Sequence, residues 1–128
     1  DMPMNHKVFL AQFDAIKKLA SEGPCVMVGR CADYALAEYK DCFSVFVHAD
    51  TDWRISRLSQ KHNKTAKEAK DMINKTDKSR SSYYNYYTNK KWGAAASYNL
   101  CVDSSKLGID GAAKAIIQAI EIFDSMKK

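Results

Sequence analysis

At 128 residues, 46% of them apolar, the chain has the size and composition of one globular domain with a sizeable core. Its apolar runs are too short to cross a membrane, and the opening Asp-Met-Pro-Met-Asn-His lacks the basic-then-apolar order of a signal peptide, so a cytoplasmic location is expected. The net charge is +5, and the four cysteines (Cys25, Cys31, Cys42, Cys101) form no Cys-x-x-Cys pair, which argues against a zinc ribbon or a redox motif and for free thiols.

Val8, Phe9, Phe13, Ile16, Leu19 and Ala20 recur at helical spacing, so an amphipathic helix is expected over residues 6–21. Gly23-Pro24 stops it. Cys25–Val28 is a short apolar run and reads as a buried strand. Ala32–Glu38 reads as a short helix, and Phe43–His48 as a second strand. Asp50 or Thr51 caps a helix reaching His62, with Ile55 and Leu58 inward. Thr65-Ala-Lys-Glu68 is a capping box, and no Gly or Pro interrupts the helix it opens before Tyr87. Asn89–Ser97 reads as a loop and Tyr98–Val102 as a third strand. Asp110 is expected to cap a last helix whose inward face is Ala113, Ile116, Ile117, Ile120 and Phe123. Strands alternating with helices predict one α/β domain over residues 1–128, with a parallel sheet flanked by helices. The chain opens on a helix with no strand before it, as though the front of the domain were missing. No internal repeat, linker or low-complexity tract is visible.

Chemistry is suggested first by Cys25-Val-Met-Val-Gly-Arg-Cys-Ala-Asp33. It places Arg30 and Asp33 just after a strand, where α/β sheets bind ligands. A guanidinium there suits a phosphate, because its planar fork donates two parallel hydrogen bonds. A structural Arg–Asp pair at a strand–turn–helix junction fits that stretch equally well. The charge is uneven: residues 1–50 carry five basic and seven acidic side chains, residues 51–100 eleven and four, and residues 101–128 four of each. A basic block of this kind suits an anionic partner, or a solvated helix face. Within it, Arg54 and Arg57 share a helix face. Lys75-Thr-Asp-Lys-Ser-Arg80 gathers three cations around Asp77, which at i, i+3 can orient Arg80. Converging cations of this kind stabilise a transferring phosphoryl group, and a surface ion-pair network uses the same residues. Tyr83, Tyr84, Tyr86 and Tyr87 beside Lys90 and Lys91 could stack on single-stranded nucleic acid, but core packing is the better reading. His6, His48 and His62 are isolated, so no metal site is expected. None of the five glycines begins Gly-x-x-x-x-Gly-Lys-[Ser/Thr], the loop whose amides cradle phosphates.

Taken together, Phe9-Leu-Ala-Gln12, Gly23-Pro-Cys-Val-Met-Val-Gly-Arg-Cys-Ala-Asp-Tyr34, Lys75-Thr-Asp-Lys78, Ser82-Tyr-Tyr-Asn-Tyr-Tyr87, Lys91-Trp-Gly93, Asn99-Leu-Cys-Val-Asp-Ser-Ser105 and Leu107-Gly-Ile109 make the chain resemble the cytidylate kinase-like family, a branch of the P-loop nucleoside monophosphate kinases. The resemblance implies a P-loop NTPase fold, incomplete at its N-terminus. It implies transfer of the ATP γ-phosphoryl group to CMP or dCMP with Mg²⁺, by a longer parent that carries the phosphate loop. Under it, Arg30 holds the acceptor phosphate, and Asp33 orients Arg30 or places the acceptor's sugar or base. Of Arg54 and Arg57, one lies against the ATP base and one turns toward phosphates. Lys75, Lys78 and Arg80 are cations of a lid-like segment over about residues 65–97, with Lys78 and Arg80 the catalytic pair and Asp77 their orienter. Ser104 and Ser105 lie near the donor base. Two other readings stay open: a non-catalytic nucleotide-binding module, and a single-stranded nucleic-acid binder. An exposed sheet edge would favour a homo-oligomer.

Overall fold

A computed structural model describes residues 2–29 and 31–127, with side chains from residue 6 onward. Its elements in chain order are α1 (Met2–Ser21), α2 (Ala32–Ala35), β1 (Val45–His48), α3 (Thr51–His62), α4 (Ala66–Thr88), a 3₁₀ turn (Ala95–Ser97), β2 (Leu100–Asp103) and α5 (Ser104–Ser125). β1 and β2 pair in parallel, with Val45 opposite Leu100 and His48 opposite Asp103. A parallel pair needs a long crossover, and α3 with α4 supplies it. The result is an α/β protein built on a small sheet.

Local signals set most helix ends. Asp50 caps α3 by accepting the Trp53 N–H at 3.4 Å. The capping box of α4 is complete: Thr65 Oγ1 accepts the Glu68 N–H at 3.1 Å, and Glu68 Oε1 accepts the Thr65 N–H at 2.9 Å. Those bonds hold the Glu68 carboxyl below its ordinary range. Asn63 and Asn89 end α3 and α4 in the left-handed region, where a short amide side chain is tolerated. One buried cluster joins Ile16 of α1 to Ala32, Ala35 and Leu36. A second joins Phe9 to Cys31 and Tyr84, with Tyr83, Tyr87, Trp92 and Tyr98 packed around it.

Three expectations need correction. Cys25–Val28 forms no strand, and the sheet of the described residues has two strands, not three. Val26 and Val28 are 91% and 88% exposed. A strand is held by its neighbour's ladder, and among the described residues nothing pairs with this run. α5 begins at Ser104, not at Asp110: Asp103 is its cap, accepting the N–H groups of Ser105 and Lys106 at 2.9 and 3.2 Å. The break that Asp110 suggested is a kink at Gly108 (φ 75°, ψ 168°), a conformation open to glycine. Finally, Ala112 is buried on α5 and Ile116 and Phe123 are half-buried, while Ala113, Ile117 and Ile120 face outward. Smaller differences concern ends: the first helix starts at Met2, the second stops at Ala35, and the strands cover Val45–His48 and Leu100–Asp103.

Candidate functional site

Beyond the C-terminal end of β1 lies a cleft of about 460 Å³. β1 lines it with Phe46, Val47 and His48, and α3 with Trp53, Arg54, Arg57 and Lys61. α4 adds Ile73, Asp77 and Arg80, and Trp92 and Ser104 complete the wall. On α3 the cations Arg54, Arg57 and Lys61 lie at i, i+3 and i+7 with Trp53 beside Arg54, and on α4 Ile73, Asp77 and Arg80 lie at i, i+4 and i+7, so each helix turns one face to the cleft.

The centre of the cleft is an ion-pair network. Arg54 grips Asp77 as a fork, with Nη1 to Oδ2 at 2.7 Å and Nη2 to Oδ1 at 2.9 Å. Arg80 Nη2 donates to the same Oδ1 at 2.7 Å. Asp77 and Arg54 are about a quarter exposed, so the pair is screened less than a surface one. The Arg54 hydrogen bonds hold the Asp77 carboxyl below its ordinary range against the opposing pull of burial, and Asp77 in turn raises Arg54. Two guanidiniums on one carboxylate leave a net positive charge. Arg57 lies 5.7 Å from the Trp53 ring centre and Arg80 lies 4.8 Å from that of Trp92, so aromatic faces support both cations.

The predicted residues fall into three groups. Arg54, Arg57, Asp77, Arg80 and Ser104 line one cleft. Lys75 and Lys78 are exposed on α4 and outside its lining, because they fall off the stripe of Ile73, Asp77 and Arg80. Ser104 and Ser105 fasten β2 to β1: Ser104 Oγ donates to the His48 carbonyl at 3.3 Å, and Ser105 Oγ accepts the Asp50 N–H at 2.9 Å. Ser105 Oγ also donates to Asp103, whose carboxyl is thereby held low. Asp33 sits elsewhere, accepting the Tyr84 hydroxyl at 2.7 Å. Arg30 lies outside the described residues.

Sequence reasoning missed Trp53, Lys61 and Trp92, and His62, which also lines the cleft at the end of α3. The i, i+3, i+7 spacing of Arg54, Arg57 and Lys61 was a signal available for Lys61. Trp92 stood in the Lys91-Trp-Gly93 segment, but its role was not legible, since its place depends on how the 89–97 loop returns to β1. The tyrosine run is largely committed to packing. Tyr87 stacks on Phe9 at 4.2 Å and Tyr84 is buried, while Tyr86 is 62% exposed. Burial raises the Cys31 thiol to about 11, which keeps it protonated and a poor nucleophile. Among the described residues no group of three His, Cys, Asp or Glu side chains could hold a metal ion. Among the same residues, no helix is long and apolar enough to cross a membrane.

The chain is similar to an uncharacterized protein of known crystal structure from Eubacterium ventriosum ATCC 27560, with 33% identity and a TM-score of 0.86. The match covers 89% of this chain and 65% of that one. The chain thus spans a little under two thirds of that neighbour's length. No curated protein matches. A model of the cytidylate kinase-like family matches residues 1–106, which is most of the chain. The chain belongs to the cytidylate kinase-like family.

Proposed function

We propose that the chain is part of a nucleoside monophosphate kinase of the P-loop superfamily, in which the cleft takes the phosphates of ATP and the longer protein transfers the γ-phosphoryl group to CMP or dCMP. One observation carries this reading. Guanidiniums from two helices converge on one carboxylate beyond the end of a parallel strand, the place where α/β sheets bind ligands. Phosphoryl transfer needs positioning and positive charge more than covalent help, and fixed cations supply both.

In this reading Arg54 and Arg57 serve the nucleotide from α3. Arg80 and Lys78 are the catalytic pair on the lid-like segment over about residues 65–97, with Arg80 in the cleft wall and Lys78 reaching the phosphates from outside its lining. Lys75 adds charge, and Asp77 keeps Arg54 and Arg80 aimed at one point. Arg30 would hold the acceptor phosphate, and Asp33 would fix α4 beside it through Tyr84. Ser104 and Ser105 set the end of the sheet near the donor base. The cation set fits a polyphosphate. Mg²⁺ would come as a partner of the phosphates, since among the described residues no trio of His, Cys, Asp or Glu could hold it, and it would supply charge neutralisation when bound. The phosphate-cradling loop would belong to the longer protein, consistent with this chain spanning 65% of its crystallised neighbour. The 128 residues alone would then be inactive.

The test is a coupled ADP-release assay on the longer protein with ATP, Mg²⁺ and CMP, dCMP, UMP or AMP. Turnover with CMP or dCMP is expected, and Arg80→Ala should lower kcat by about 100-fold or more. Nucleotide binding without turnover on any acceptor would replace the kinase by a binding module. Salt-sensitive retention of single-stranded nucleic acid, without nucleotide binding, would favour the nucleic-acid reading.

A further inference from the structure

We propose that Trp92 is a positioning residue that holds Arg80 in the cleft and thereby sets the site's affinity for polyphosphate; this rests on the polyanion reading of the cleft. Arg80 is the less constrained of the two network cations. Its side chain is 56% exposed, and its ionic partner Asp77 sits on the same helix and is already gripped by Arg54. A half-exposed arginine on one shared oxygen loses much side-chain entropy when a ligand fixes it. The Trp92 ring, 4.8 Å from the guanidinium carbon, supplies a second constraint.

The indole is itself braced between the two elements that meet at the cleft. It touches Phe46 of β1 edge-on, with ring centres 5.3 Å apart and planes at 87°. Its backbone N–H donates to Asn85 Oδ1 of α4 at 2.7 Å. The next residue takes a backbone conformation that side-chain-bearing residues rarely adopt. Gly93 has φ +81°, and a Cβ there would lie 3.4 Å from the Phe46 ring. The Gly93 N–H donates to the Tyr98 hydroxyl at 3.2 Å, which pins the turn from the other side. Lys91-Trp-Gly93 is thus a fitted turn that sets the partly buried Trp92 ring under Arg80.

The experiment titrates tripolyphosphate into the 128-residue chain by calorimetry, with far-UV circular dichroism as the check on folding. Trp92→Leu should weaken binding about 3- to 10-fold, and Trp92→Phe less, following the order of cation–π strength. Combined with Arg80→Ala, Trp92→Leu should add little, because the two act through one contact. Full additivity, or wild-type affinity in Trp92→Leu beside a weakened Arg80→Ala, would overturn the inference and leave the polyanion site standing. Unchanged affinity in both Arg54→Ala and Arg80→Ala would overturn the polyanion site and this inference with it. Should Trp92→Leu fail to fold, Trp53→Phe leaves Trp92 as the sole indole of the chain's two. Its emission should then change on saturation with tripolyphosphate, and Arg80→Ala should remove most of that change. Constant emission at saturation would refute the contact.

Discussion

Asp77 governs the cleft by facing two cations at once. Both of its oxygens bond Arg54, and one is shared with Arg80, so a single carboxylate sets the separation of two guanidiniums from different helices. Its folded-state ionisation lies below the ordinary carboxylate range, with the Arg54 hydrogen bonds as the largest cause. A depressed value means the stabilisation is complete above the unfolded carboxyl's titration, near pH 4, and is lost as pH falls through the lower folded value. Asp77→Asn should therefore cost about 1–2 kcal/mol at neutral pH, the scale of a charge-assisted bond in a partly exposed site. The difference between wild type and variant should shrink below about pH 4. Urea unfolding at a series of pH values checks this. A difference that stays constant into acid would show that Asp77 stabilises by shape and not by charge.

At the scale of elements, α4 is the joint of the molecule. One face presents Asp77 and Arg80 to the cleft, and another packs Tyr84 and Tyr87 against α1 and α2. The Tyr84 hydroxyl ties it to Asp33 of α2, and burial with that bond pushes the phenol's ionisation upward. Tyr84→Phe should lose about 1–2 kcal/mol, since it strands the Asp33 acceptor in a half-buried position. Tyr86→Phe, at a largely exposed ring, should change stability little. Equal effects in urea unfolding would mean the Asp33 bond is not the source. α4 was also the most legible element, because its signals are local: a capping box at Thr65, no Gly or Pro along its length, and a loop from Asn89 onward. The Arg54–Asp77 contact was not legible. Each residue could be placed on a helix face, but the crossing of α3 and α4 that joins them is tertiary. The start of α5 was misread because Gly108 and Asp110 look like a boundary, whereas Asp103 caps the helix earlier and Gly108 only bends it.

Across the whole molecule, the Cys25–Val28 run shows where local reasoning stops. Its composition suits a buried strand, but a strand exists only with a partner. Val26 and Val28 stand almost fully exposed. β1 pairs only with β2 among the described residues, and Val47 of β1 is 53% exposed. On α5, Ile117 and Ile122 are 55% and 64% exposed. Unpaired edges and uncovered apolar side chains recruit whatever matches them, including a second copy. The 128-residue chain is therefore expected to self-associate in a concentration-dependent way when followed by sedimentation velocity. Its net charge of +5 opposes that association, so added salt should strengthen it by screening the repulsion. Charged substitutions at the most exposed pair, Val26→Lys with Val28→Glu, should weaken it without loss of helix signal. A monomer at every concentration and salt level would mean that these side chains find cover within the chain in solution. The apolar run at residues 25–28 would then be a packed loop, not an unpaired strand.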